Sequence, residues 1–286
     1  YQASHVGFEN DPNVATTKPS QVLFDKDKKL ALSSDTRQPL LNIRDTEVRV
    51  LIGNQAAELV QRGNYDGILL DGLGQDLIRP SAAPIFTGTK EFTEQQRRDA
   101  VEGLLRNVKT KFPTKLLIVG GYAWKDGNAY MPRQEEARAL AEVGDGIYVS
   151  EFLRVPISKT TDFRSEANWR KDIDMLASAS FGDRIVLLRT AFKDPSNLPN
   201  DEQTRQWMMY TVASYLLGKN GRQTYLHFDV NGRTDLLNDP IFIAPLGAPL
   251  KAYEVKSGIF MRSFANGIVL VNASSETKKA DLDREY

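Results

Sequence analysis

Two carboxylates close apolar runs in this sequence. Asp71 ends Gly67-Ile68-Leu69-Leu70, and Glu151 follows Gly146-Ile147-Tyr148-Val149-Ser150. A carboxylate at the end of a buried strand loses hydration, which is unfavourable unless the group is paired or used. Two or three around one rim suit cleavage of a glycosidic bond, in which one carboxyl protonates the leaving oxygen while another attacks the anomeric carbon or activates water. Asp71 is expected as nucleophile or base and Glu151 as general acid. A separation of about 5–5.5 Å between such carboxyls gives retention of configuration, and about 6.5–9.5 Å gives inversion. Asn42, Tyr122, Trp124, Arg189, His227 and Asp229 stand at or just past the ends of the other candidate strands, with Tyr130, Phe152, Phe192 and Phe228 nearby. Aromatic faces suit the C–H faces of sugar rings, and Asn, Asp and Arg suit hydroxyls, so these residues are the expected substrate contacts.

Each candidate also has a structural reading. Asp71 precedes Gly72 and can cap a turn. Glu151 can pair with Arg154 or Arg189, and Arg189 can serve as a plain ion-pair partner. Asp229 precedes Asn231-Gly232, a turn signature. His227 can be a hydrogen-bonded core residue, and Tyr122 and Trp124 can pack under a loop. Asp66 and Asp145, which begin the strands that Asp71 and Glu151 end, belong at the opposite rim and are expected to be structural.

The elements that must position these side chains alternate in type. Apolar runs at Leu40–Ile43, Gly67–Asp71, Lys115–Gly121, Gly146–Glu151, Arg184–Arg189 and Thr224–Asp229 read as strands. Between them lie helical patterns. One is capped by Asp45 and carries Val48, Leu51, Ile52, Ala56 and Leu59; one is capped by Thr93 and carries Ala100, Leu104, Leu105 and Val108. Others cover Gln134–Val143, the region of Trp169, Ile173 and Leu176, and Asp201–Leu217. Continuous apolar strands separated by helices mark a parallel sheet with helical cover, and the length suits a (β/α) barrel with its chemistry at the carboxyl ends of the strands. Six strands are counted where a closed barrel has eight. Either two strands precede Tyr1 or the sheet is open; the chain starts at Tyr1 in polar loop, with no Met and no signal-peptide pattern, and the first two strands are expected to be the missing ones. Gln21–Phe24 and Lys29–Leu32 read as a short hairpin. After Asp229, Ala252–Val255, Gly258–Arg262 and Gly267–Asn272 read as antiparallel strands, with Asn266-Gly267 as the tight turn. The fold class is therefore α/β, a TIM-type barrel over residues 1–245 with a C-terminal antiparallel β-element over 246–286.

Composition removes other chemistries. Lys+Arg and Asp+Glu balance at 37 each, which argues against nucleic-acid partners and polybasic membrane attachment and fits a neutral carbohydrate. No apolar run reaches the roughly 18 residues of a membrane helix. Without cysteine there is no thiolate metal site, and two histidines argue against a multi-histidine site; no metal and no cofactor are expected. The phosphate-loop, dinucleotide and nucleophile-elbow patterns are absent. Gly72-Leu73-Gly74 is too short a match, and Asn231-Gly232-Arg233 is only a faint phosphate-loop candidate.

The residues carry a resemblance. Tyr65-Asp66-Gly67-Ile68-Leu69-Leu70-Asp71-Gly72 resembles the Asp-Gly strand of barrel glycoside hydrolases of the hypothetical glycosyl-hydrolase-like family 15 and endo-α-1,4-polygalactosaminidase-like group. Leu40–Ile43 with Thr46-Glu47-Val48-Arg49 is similar to the segment before that strand, and Phe264–Asn272 resembles the terminal hairpin. The resemblance implies that Asp71 and Glu151 are the catalytic carboxylates, that the substrate is a polysaccharide or oligosaccharide, and that no cofactor is needed. Polymeric glycans lie mostly outside cells, so an extracellular or cell-surface location is expected. The rival reading is a non-catalytic carbohydrate-binding or surface-structural protein on the same scaffold.

Overall fold

The computed structural model describes residues 18–33, 37–73, 84–120, 142–154, 163–178, 184–220 and 223–280, and two short strands at 125–126 and 129–130. These residues divide into two compact units, the first holding those up to Lys125 with 142–148, the second holding Asp126, 129–130 and those from Val149 onward.

In the first unit, Asp25 Oδ1 accepts the N–H groups of Asp27 and Lys29, each at 2.9 Å. With Lys28 at φ 60° this makes the expected tight turn, although its arms meet only in single bridges such as Phe24–Leu30. Leu40–Ile43 is not the expected sheet strand. Leu40, Leu41 and Ile43 are fully buried, but they bond to residues upstream: Leu23 N–H donates to Leu40 O, Leu40 N–H to Ala31 O, and Asn42 N–H to Gln21 O. The Asn42 amide then turns onto Ser20 O and accepts Arg44 N–H, which ends the extended run.

Helix α1 (Thr46–Arg62) starts where Asp45 accepts the N–H groups of Glu47 and Val48. It buries Val48, Ile52, Ala56 and Val60, a stripe of four-residue spacing, while the Leu59 assigned to that face stays exposed. Strand β1 (Gly67–Leu70) follows, then a two-stranded ribbon of β2 (Phe86–Thr87) and β3 (Lys90–Glu91) turning at Gly88. Helix α2 (Glu94–Lys111) opens with a reciprocal box: Gln96 N–H donates to Thr93 Oγ1, and Thr93 N–H to Gln96 Oε1. It packs on α1. Strand β4 (Leu116–Val119) lies parallel to β1, with Leu69 opposite Ile118. A ribbon pairs β5 (Lys125–Asp126) with β6 (Ala129–Tyr130); of the expected helix at 134–143, residues 134–141 lie outside the described residues. Strand β7 (Gly146–Val149) pairs parallel with β4. Asp145 has the expected structural role: Oδ2 accepts Leu117 N–H at 2.8 Å and Lys109 Nζ at 2.6 Å, tying the entry of β7 to β4 and to the end of α2.

In the second unit, helix α3 (Glu166–Ala177) and α4 (Asp201–Gly218) pack together, and β8 (Ile185–Phe192) runs parallel to β9 (Thr224–Val230). Phe192, Met208, Val212, Phe228, Val230 and Leu236 form one buried apolar cluster, and Trp207 stacks on Phe192 at 5.2 Å. Phe152, Phe192 and Phe228 were expected at a sugar-binding rim. They are instead almost wholly buried: Phe192 and Phe228 lie on strands whose alternate positions face the covering helices, and Phe152 sits in the loop after β7 whose backbone is bonded to β8.

The C-terminal sheet orders β10 (Glu254–Lys256), β11 (Ile259–Phe264) and β12 (Gly267–Val271), all antiparallel. The left-handed pair is not Asn266-Gly267 as expected but Ser257-Gly258, at φ 52° and 72°; two successive positive φ values define the type I′ connection that matches strand twist. Arg262 on β11 reaches α4. Its Nη1 donates to the carbonyls of Leu216, Leu217 and Lys219 at 2.9, 3.0 and 2.8 Å, closing helix-end acceptors that have no partner within the helix. Parallel strands alternating with covering helices, and a small antiparallel sheet at the C-terminal end, give the α/β barrel-type fold read from the sequence. Replacing Arg262 by Met should lower stability by about 2 kcal/mol in urea unfolding, through lost charge-assisted bonds; a change below about 0.5 kcal/mol would show the cap to be idle.

Candidate active site

Asp71 stands one residue past β1, half-buried. Its Oδ1 accepts the Gly72 N–H at 2.9 Å, with Gly72 at φ 77°, so the turn role is real. The carboxylate is also housed. Gly120, just past β4, donates its N–H to Leu70 O, and a Cβ at Gly120 would lie 2.7 Å from Asp71 Oδ1. The side chain missing at residue 120 is the space that the carboxylate occupies.

Glu151 follows β7 in a loop held at several points. Its carbonyl accepts Arg164 Nη2 at 2.7 Å. Phe152 N–H donates to Arg189 O, and Thr190 Oγ1 donates back to Phe152 O at 2.8 Å. Leu153, left-handed at φ 67°, donates its N–H to Asp172 Oδ2 at 3.0 Å and accepts Arg164 N–H on its carbonyl. Arg164 Nε meets the same Asp172 oxygen at 3.1 Å, both side chains buried. Burial pushes Asp172 up to about 6, against the pull of the Arg164 charge and the Leu153 N–H. Arg154 lies over the Phe192 ring, 3.7 Å from its centroid. The Glu151 backbone is thus fixed against the part of β8 that carries Arg189.

Arg189 and Asp229 were separate candidates, and the register brings them together: Arg189 lies opposite His227 and Ala191 opposite Asp229, and Arg189 Nη2 donates to Asp229 Oδ2. The other Asp229 oxygen accepts Gly232 N–H at 2.9 Å, where Asn231 and Gly232 are both left-handed. Both readings of Asp229 therefore hold at once, ion pair and turn. Burial alone would raise its pKa, but the Arg189 and Gly232 hydrogen bonds and the Arg189 and Lys193 charges outweigh it and hold it below the usual carboxylate range. His227 is exposed rather than a core residue.

Asn42 lies in the first unit and has both amide atoms engaged. Tyr122 and Trp124 lie outside the described residues, and of Tyr130 only the strand is described. Among the described residues no group of three His, Asp or Glu is placed to hold a metal, and no helix is long and apolar enough to cross a membrane.

Sequence reasoning missed Arg164 and Asp172. The signal was present in α3: Trp169, Asp172, Ile173 and Leu176 share one helical face, so the apolar stripe contains a carboxylate that must find a buried cation.

Parallel strands alternating with helices, with Asp71 and Glu151 just past the carboxyl ends of β1 and β7, make an α/β barrel-type architecture. The profile of hypothetical glycosyl hydrolase family 15 matches residues 17–268, and the chain belongs to that family. No curated protein matches the chain. Among solved structures it is similar to the glycoside hydrolase domain of PelA from Pseudomonas aeruginosa (12% identity, 81% of this chain and 77% of that one, TM-score 0.48). It is also similar to the α-galactosidase TtGalA from Thermus thermophilus in complex with p-nitrophenyl α-D-galactopyranoside (12%, 91% and 49%, TM-score 0.47), spanning about half of that protein's length. The catalytic core of xylanase A is a third (12%, 64% and 59%, TM-score 0.42). At these scores the structural likenesses carry no argument about activity.

Removing Asp172 leaves Arg164 buried without its counter-ion, so Asp172→Ala should lose about 3–5 kcal/mol in denaturant unfolding. The two buried aspartates act on stability with opposite sign. Asp172, raised in the fold, contributes stability that is full below the unfolded value near 4 and lost as pH rises through about 6. Asp229, lowered in the fold, contributes stability present above about 4 and lost as pH falls below it. Unfolding measured across pH should therefore lose its slope between about 4 and 6 in Asp172→Asn, and flatten on the acid limb in Asp229→Asn.

Proposed function

We propose that this protein hydrolyses an O-glycosidic bond of a polysaccharide, outside the cell or at its surface, with Asp71 as nucleophile or base and Glu151 as general acid. What carries the reading is the family match over residues 17–268, taken with the site that Gly120 leaves for the Asp71 carboxylate. A half-buried carboxylate at a strand end, with no side chain at residue 120 to crowd it, suits attack on a sugar carbon. The loop fixed by Arg164 and Asp172 supplies the second requirement, an acid that keeps its position while a glycosidic oxygen leaves. Arg189, Asp229 and His227 would then bind sugar hydroxyls, Arg189 being turned by its ion pair with Asp229.

Release of reducing ends from a panel of polysaccharides tests this. Asp71→Asn and Glu151→Gln should each lower turnover at least about 100-fold while leaving unfolding unchanged. Unchanged turnover in Asp71→Asn removes that residue from the chemistry. Saccharide binding with no turnover in the unaltered protein supports the carbohydrate-binding alternative instead. Gly120→Ala should lower turnover as well, since a methyl group would displace the Asp71 carboxylate.

A further inference from the structure

The first unit holds a cavity of about 620 Å³ that none of the proposed chemistry uses, within the size range of small-ligand sites. Its walls come from Ser20 and Phe24, from the Asn42–Asp45 segment that leads into α1, and from the β2–β3 ribbon through Thr87 and Lys90. That ribbon lies between β1 and α2 in the chain, and Arg44 and Asp45 immediately precede α1. In a unit where helices run back alongside parallel strands, segments that enter helices lie at the carboxyl ends of the strands. Asp71 is at the same end of this unit.

The lining has a definite chemistry. Arg44 and Lys90 are both exposed. Neither has an ion-pair partner among the described residues, although most other guanidinium groups of the molecule meet a carboxylate or a carbonyl. Arg44 is oriented instead by the buried Phe92 ring, with its guanidinium carbon 5.7 Å from the centroid. Among the described residues on the wall the carboxylate is that of Asp45, which is engaged with the first turn of α1 through Glu47 and Val48 N–H. Phe24, half-buried, offers an apolar face beside them, and Gly88 at the ribbon tip bears no side chain, with open space where a Cβ would stand. Two cations, a hydroxyl from Thr87 and a ring face in one hollow suit a sugar unit bearing an anionic group. A guanidinium takes a carboxylate or sulfate through paired N–H donors, the ammonium adds a second charge, and the ring takes a C–H face.

We infer that the Arg44–Lys90 cavity is a subsite for an anionic saccharide unit, carrying either a carboxylate or a sulfate. The zero net charge of the chain, which fits a neutral carbohydrate, is a sum over the whole molecule, whereas recognition depends on the local balance. Among the described lining residues that is two cations against one carboxylate already bound to a helix end. The inference rests on the saccharide reading given above, but it is tested by binding alone.

Calorimetric titration of the full chain bearing Asp71→Asn, which keeps saccharides uncleaved, should use oligogalacturonide, a sulfated galactan oligomer and neutral oligogalactose at two salt concentrations. At least one acidic oligomer should bind about tenfold more tightly than the neutral one, with affinity falling as salt rises; which acidic oligomer does so identifies the anionic group. Lys90→Gln, on an exposed ribbon where folding does not depend on it, should remove most of that preference, and Lys90→Gln with Arg44→Gln should abolish it. Equal binding of all three oligomers, tighter binding of the neutral one, no binding of any, or an acidic preference unchanged in Lys90→Gln would each overturn the inference. Loss of the hydrolase reading is a separate result: it would appear as absent turnover in the unaltered protein while acidic oligomers still bound in a manner dependent on Lys90.

Discussion

A single buried ion pair organises the loop on which the second proposed carboxylate rides. Arg164 and Asp172 meet out of water, and the two side chains fix two backbone positions, the Glu151 carbonyl and the Leu153 N–H, while the Arg164 backbone N–H holds the Leu153 carbonyl. An ion pair in such a place is a weak source of net stability, since desolvating both charges offsets much of their attraction. Its value lies in direction. A planar guanidinium with several donors holds separate acceptors at set angles, which apolar packing, being non-directional, cannot do for a loop with a left-handed residue at its centre.

The same division of labour recurs elsewhere. Asp145 gathers β4, β7 and the end of α2 at one side of the first unit, and Asp229 joins β8 to the turn after β9. In each case a carboxylate with two oxygens serves a charged donor and a backbone N–H together. The strands bring apolar area, and the aspartates fix their ends, Asp145 at the start of β7 and Asp229 near the close of β9. This explains why so many acidic residues flank strands here without all being candidates for chemistry, and why Asp71, beside a residue with no side chain, differs from the rest.

Much of this was legible in the sequence. The continuous apolar runs at 67–71, 115–121, 146–151, 184–189 and 224–229 each fall on a parallel strand, the last two strands running on to Phe192 and Val230, because burial on both faces leaves no polar alternation to confuse the pattern. Asp45 and Thr93 were legible as caps, since capping is local. What the pattern could not separate was an apolar run that joins the parallel sheet from one that pairs backward, as Leu40–Ile43 does; both bury the same residues. Nor does hydrophobicity say which aromatics at or near a strand end are buried, which is why Phe152, Phe192 and Phe228 read as a rim. At the site, Asp71 and Glu151 were visible as interruptions of apolar runs, whereas the Arg189–Asp229 pair depends on register, a long-range property that no local spacing encodes.

The attachment of β11 to α4 makes the terminal strands part of the larger body. The three carbonyls that Arg262 serves belong to Leu216, Leu217 and Lys219, where the chain leaves the helix to enter β9. A protein trimmed ahead of β10 would uncover those acceptors and bare the face of Trp169 that now rests edge-on against Phe260. Trimming that looks harmless by topology would thus loosen the approach to the strand bearing His227 and Asp229.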